Sequence, residues 1–251
     1  MAEQKSLIKL DGKIGDLTFY KTKTGYQARE TGGVSADRIA TDPKFQRTRE
    51  NNAEFGRAGR AAKKLRTALR SFIQLTNDSA MANRLTGAML RVIKADEVSD
   101  RGERQVLSEN LVVLKGFAFN NAAPLGSTLF IAPQSSIDRE TGTAQVSLPA
   151  FNPASAIAKP SGATHFQISV AMAAVDFASE EDNFSFDMQQ GETLALNAQT
   201  EAINLNPVLA DAGGLPIFLA LGISFYQQVN GKQYSLNNGA YNALALIGVD
   251  G

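Results

Sequence analysis

The chain has 251 residues, 43% hydrophobic and 20% charged, a balance that belongs to a folded globular protein and excludes a disordered one. It has no Cys, which excludes disulfides, thiolate metal sites and cysteine nucleophiles, and it has no Trp and a single His. Its 25 basic and 25 acidic residues cancel overall but not locally: residues 1–115 carry 22 basic against 14 acidic residues, net +8, and residues 116–251 carry 3 against 11, net −8.

The first ten residues are interrupted by charges and lack the apolar centre of a signal peptide. No stretch is long and apolar enough to cross a bilayer. The sequence therefore predicts synthesis in the cytoplasm, with an extracellular or particle-associated location reached only by lysis or a non-classical route. Residues 1–41 read as an N-terminal arm. Within it Leu17-Thr-Phe-Tyr20 and Tyr26-Gln-Ala-Arg29 are two short strand patterns joined by a loop over 21–25 that ends in Gly25, which predicts a β-hairpin. A lone hairpin is marginal in water, so it must lie on its own chain or on a neighbouring copy.

Residues 42–98 read as a basic helical region. Asp42-Pro43 is a start signal, with Asp as N-cap and Pro at the first helical position. Phe55, Ala58, Ala62, Leu65, Leu69 and Phe72 recur at intervals of three and four and predict one apolar stripe. Gly56 and Gly59 cost this helix propensity, which suggests the approach of another backbone. A second helix is expected from Asp78 or Ser79, with Met81, Leu85, Ala88, Met89, Val92 and Ile93 as its apolar face, packed antiparallel on the first. The polar stretch 99–110 is the expected linker.

Residues 111–251 read as an acidic β domain. About eight strands are expected, near 111–119, 127–132, 143–149, 164–177, 183–188, 193–203, 216–228 and 233–248. Asn230-Gly231 is the clearest hairpin turn and Thr141-Gly142 marks another. Phe166, Ile168, Val170 and Met172 alternate with His165, Gln167, Ser169 and Ala171, predicting one buried and one wetter face. Ile217, Leu219, Leu221, Ile223 and Phe225 predict an inward face. The fold class expected is α+β, mainly β: an N-terminal β-hairpin and helical pair followed by an antiparallel β-sandwich with jelly-roll or Greek-key-like connections.

No catalytic motif is present. His165 reads as a strand residue on a polar face, and no phosphate loop, nucleophile elbow, metalloprotease helix or EF-hand pattern occurs. Asp176 and the run Ser179-Glu-Glu-Asp182 offer oxygen ligands but not the spacing of a Ca²⁺ site, so they read as a solvated loop. No metal, cofactor or catalytic residue is assigned. Arg47, Arg49, Arg57, Arg60, Lys63, Lys64, Arg66 and Arg70 lie on one predicted helix, where they suit a solvated face, a protein interface or, less well, nucleic-acid phosphates.

Gly12-Lys-Ile-Gly15, Leu17-Thr-Phe-Tyr20, Gly25-Tyr26, Arg29-Glu30, Thr41-Asp-Pro-Lys-Phe-Gln-Arg-Thr-Arg-Glu-Asn51 and Glu54-Phe-Gly-Arg-Ala58 form a distinctive opening. It resembles the opening shared by a family of bacterial proteins, mostly of Bacteroidota, over about residues 12–70. The resemblance implies a bacterial source and no particular activity.

These readings favour a non-enzymatic structural protein whose partner is itself. It would assemble head-to-tail into a filament, tube or shell through its basic N-terminal region and acidic β domain. The expected contact residues are Phe19, Tyr20, Tyr26 and Arg29 on the arm and Arg57, Arg60 and Lys64 on the helix, meeting Glu180, Glu181 and Asp182. The alternatives are a carbohydrate- or protein-binding sandwich module and a nucleic-acid-associated protein using the basic helix. The opposed charges would serve equally well to hold the two halves of one monomer together.

Overall fold

The computed structural model describes residues 2–5, 7–30 and 32–251. Its contacts divide the chain into two compact units, residues 1–50 and 51–251.

The first unit is a four-stranded antiparallel sheet of β1 (Ala2–Glu3), β2 (Gly12–Ile14), β3 (Leu17–Thr22) and β4 (Gly25–Glu30), in the order β1-β4-β3-β2. The expected hairpin is its centre, with Phe19 opposite Ala28 and Tyr20 opposite Gln27. The strands run further than expected, so a two-residue turn, Lys23-Thr24, replaces the five-residue loop. Gly25 closes it at φ +127°, a conformation in which a side chain would be strained. A short helix, α1 (Ala36–Thr41), follows, and Asp42 caps a 3₁₀ turn at Pro43–Phe45 by accepting the Lys44 N–H. That turn leads into α2 (Gln46–Ala68), as the Asp-Pro signal predicts.

The second unit is layered. Helices α2, α3 (Arg70–Ile73) and α4 (Met81–Lys94) cover one face of a five-stranded sheet, and a three-stranded sheet covers the other. Two short helices, α5 (Leu125–Thr128) and α6 (Pro153–Ala156), lie in the connections. The remaining strands are β5 (Gln134–Asp138), β6 (Thr143–Leu148), β7 (His165–Val175), β8 (Phe184–Ala195), β9 (Ile203–Leu205), β10 (Ile217–Val229), β11 (Lys232–Ser235) and β12 (Ala243–Asp250). The small sheet is ordered β5-β6-β9. The large one runs β8-β7-β10, with β12 pairing the first part of β10 and β11 its end. Every pairing is antiparallel, and the chain passes between the sheets at β6–β7, β8–β9 and β9–β10. The α+β, mainly β class follows directly.

Both faces are buried over 168–175 of β7 and 217–225 of β10. Phe166, Ile168, Val170, Ile217, Leu219 and Leu221 point into the core between the sheets, whereas Ala171, Ala173, Phe218 and Ala220 lie under the helices. The expected wetter face of β7 is wet only at His165 and Gln167, because the helices cover Ser169 and Ala171. Helix contact also explains the small residues: a Cβ on Gly222 would stand 3.1 Å from the Phe72 ring and 3.0 Å from Leu244. The helical and β regions therefore share a core, and residues 99–110 do not join two domains. Buried Asp96 accepts the N–H groups of Val98, Ser99 and Gln105, and Glu54 of α2 accepts that of Gly102.

Eight strands form in the second unit, but not the eight expected. Residues 108–114 make a 3₁₀ helix, and 125–128 make α5. The expected 183–188 and 193–203 become the long β8 and the short β9, and 233–248 splits into β11 and β12. Phe55, expected on the buried stripe, is 56% exposed, while Ala58, Ala62, Leu65, Leu69 and Phe72 are buried as expected. Gly56 and Gly59 meet no foreign backbone among the described residues.

Candidate assembly surfaces

The sheet of the first unit sorts its side chains by the two-residue period of a strand. Leu17, Phe19, Tyr26, Ala28, Ala2 and Ile14 share one face, with Lys21 and Glu30 at its two ends. Thr18, Tyr20, Gln27, Arg29, Lys13 and Glu3 share the other. No described residue of 2–50 is fully buried, and Ile14 and Leu17 are 60% and 45% exposed. The polar face is tied internally: the Arg29 guanidinium lies 5.6 Å from the Tyr20 ring centre, and the Tyr20 hydroxyl donates to Gln27 Oε1 at 3.3 Å. The Lys21 ammonium stands 5.5 Å from the Tyr26 ring at the end of the apolar face. The four arm residues expected in one contact thus fall two to a face, Phe19 and Tyr26 on the apolar side and Tyr20 and Arg29 on the polar one.

In the second unit Arg57, Arg60, Ala61 and Lys64 recur at helical spacing on one flank of α2 and line a cleft of about 660 Å³. Its other wall is Gln105 and Val106 with Phe177, Ala178, Ser179 and Glu180 of the β7–β8 loop. The helix bases and the acidic loop expected to meet across a subunit contact are therefore neighbours within one chain. Lys64 is buried, and its ammonium donates to the carbonyl oxygens of Asp176, at 2.9 Å, and Ser179. The Asp176 carboxylate accepts the N–H groups of Ser179 and Ala178. The Ser179 bond is the main reason its pKa lies below the ordinary carboxyl value, and Lys64 adds to the effect. The loop that resembled an oxygen-rich cation site does fold around a cation, which is the chain's own lysine.

Arg57 donates to the Arg104 carbonyl at 3.1 Å and lies 3.6 Å from Glu103. Arg60 is exposed and makes no hydrogen bond or ion pair among the described residues. The same holds for the side-chain carboxylates of Glu180, Glu181 and Asp182 at the loop tip. Of the other bases expected on the helix, Arg47 pairs with Glu50, and Arg49 donates to the carbonyls of Ile39 and Asp42. Lys63, Arg66 and Arg70 line a separate shallow depression on the other flank.

Sequence reasoning missed the roles of Glu54, Arg84 and Asp96, and it gave Asp78 only as a helix start. Glu54 is 1% exposed, with its carboxylate 4.0 Å from Arg104. Positions 54, 58, 61, 65, 68 and 72 form a regular buried stripe, so a Glu in an otherwise apolar register was a readable signal of a buried carboxylate. Arg84 of α4 ties the turn before the helix to the later segment at Ala118, donating to Asp78 at 2.7 Å and to the Ala118 carbonyl at 2.8 Å. His165 is half-buried, and its Nδ1 is 2.9 Å from Thr164 Oγ1. Among the described residues no group of three or more His, Asp or Glu side chains is placed to hold a metal ion, and no helix is long and apolar enough to cross a membrane.

No protein-family model matches the chain, and comparisons with curated proteins and with solved structures return no match.

Proposed function

We propose that the protein is a non-enzymatic structural subunit that assembles with copies of itself, the N-terminal sheet acting as the docking arm. One observation carries this reading: a folded four-stranded sheet gathers Ile14, Leu17, Phe19, Tyr26 and Ala28 on one face between Lys21 and Glu30 at its ends, yet no described residue of its unit is fully buried. A sheet with an uncovered apolar face gains stability when another surface closes over it. Contact between this face and a different surface of a second copy is heterologous, so it closes a ring or propagates as a filament, tube or shell.

The test is negative-stain electron microscopy with light scattering, at low and high salt, of the full chain and of a Leu17→Glu/Phe19→Glu variant. Regular assemblies in the parent that disappear in the variant support the arm. A dispersed monomer of the parent in both salts overturns the reading.

A second reading rests on the outer face of the small sheet. Gln134, Ser136, Gln145, Ser147 and Asn204 share it by register, line a depression of about 330 Å³ and bring no charge to it. Neutral amides and hydroxyls are the groups that hydrogen-bond a polyhydroxylated ligand. A glycan-binding screen tests this carbohydrate-binding alternative, and a negative screen removes it.

A further inference from the structure

Arg60 lines the cleft wall formed by α2, and Glu180, with Glu181 and Asp182 beside it, stands at the tip of the opposite wall. Arg60 and Glu180 line the same cleft, Glu181 and Asp182 follow Glu180 in the loop, and all four are exposed and not ion-paired among the described residues. Their neighbours are already committed: Lys64 holds the loop's carbonyls, and Arg57 holds the Arg104 carbonyl. The wall positions are thus fixed while the charges at the mouth remain available.

A patch that presents both signs side by side is complementary to itself when turned through a two-fold axis. We propose that the cleft is a dimer contact between two copies of this chain, in which the acidic tip of each copy enters the mouth of the other's cleft and meets its Arg60. The head-to-tail geometry inferred from charge in the sequence placed the two signs at opposite ends of the molecule. Their convergence on one cleft favours a closed, isologous pair instead. The apolar lining of Val106 and Phe177 and the exposed Phe184, two residues beyond Asp182, give the contact surface to exclude water around its charges. This contact is separate from the arm and does not rest on it. A protein with both contacts has the two interfaces an extended lattice requires.

Charge reversal tests it by sedimentation equilibrium and mass photometry on the full chain. A parallel set also carries Leu17→Glu/Phe19→Glu, so that failure of the arm and failure of the cleft are read separately. The expected result is a dimer that weakens with salt. Arg60→Glu alone, or Glu180→Arg with Glu181→Arg, raises its dissociation constant roughly tenfold or more. Mixing the two reversed proteins restores a heterodimer, because both of its contacts then pair opposite charges, and combining the reversals in one chain restores a homodimer. Arg60, Glu180 and Glu181 are exposed, and circular dichroism checks the folding of every variant, including those changed at half-buried Phe19. A monomer in the arm-substituted parent at low salt, unchanged dimerisation after either reversal, or no recovery on mixing overturns the proposal.

Discussion

The two units solve the problem of an apolar sheet face in opposite ways. In the second unit 168–175 of β7 and 217–225 of β10 are buried on both sides, by helices on one face and by the small sheet on the other, and Phe72, Phe166, Phe218 and Phe225 are all at 0% exposure. In the first unit the central strands carry Lys21, Arg29 and Glu30 and form a sheet in which no described residue is fully buried. Hydrogen-bonded pairing is present in both, but full apolar burial, which supplies most of the driving force for folding, is present only in the second. The second unit is expected to be stable in itself, and the first to take its stability from what covers it.

The largest expected effect tests the core. Phe72 packs edge-on to Phe119, with ring centres 6.4 Å apart, and lies over the gap left by Gly222. Phe72→Ala is expected to cost about 3–5 kcal/mol in urea or thermal unfolding, because the helices and the sheet both lose contacts. Next is Lys64. Lys64→Met keeps the aliphatic stem but removes the ammonium from two carbonyl oxygens, and is expected to cost about 2 kcal/mol. Hydrogen exchange would show the loss concentrated in residues 176–183, which would also confirm that this lysine serves the fold of its own chain.

How much of this was legible depends on how many residues express a pattern. The central hairpin of the first unit was readable because Leu17–Thr22 and Gly25–Glu30 each show several alternations. The flanking strands, two and three residues long, are too short to show any period. Leu111-Val-Val-Leu114 looks like a strand by composition, but Leu111 and Leu114 are buried while Val112 and Val113 are 57% and 44% exposed. That three-residue spacing is the 3₁₀ period, which β-branched composition concealed. The charged surfaces were legible as a list of residues and not as a geometry. Sequence placed the basic helix and the acidic loop in opposite halves, and only the folding of α2 onto the sheet brings Arg60 and Glu180 to one cleft. Buried carboxylates such as Asp96 were missed because their partners are backbone N–H groups, which no side-chain pattern announces.

Those carboxylates predict how acid acts on the second unit. Backbone hydrogen bonds from Gln105, Ser99 and Val98 hold the Asp96 pKa well below its ordinary value of 3.8. In Asp78 burial pushes the pKa up, but hydrogen bonds from Asn121, Arg84 and Ala80 outweigh it and the net shift is downward. A lowered folded-state pKa means that the stabilisation is complete above the unfolded value. It is lost as the pH falls from there towards the folded value, because the unfolded chain takes up a proton first. Unfolding free energy measured between about pH 7 and about pH 2.5 is therefore expected to fall only in the acid part of that range. Asp96→Asn is expected to lower stability at neutral pH and to make the acid slope shallower. An unchanged slope would mean that this carboxyl is not ionised in the fold.

The smallest effect on folding is expected from the arm, and there the comparison is sharpest. Leu17 and Phe19 lie on a face with no core beneath it, so Leu17→Glu/Phe19→Glu removes no fully buried contact. The unfolding free energy of the second unit should change by less than about 0.5 kcal/mol, the range of ordinary surface substitutions. Assembly should nevertheless be lost, since two carboxylates on the apolar face cannot be covered without a desolvation penalty. Arg29→Ala, on the opposite face, should leave assembly nearly unchanged. If the double substitution instead unfolds the second unit, the apolar face is a cover for its own chain and not a docking surface. Stability and assembly thus answer to different residues only if the arm is made to dock.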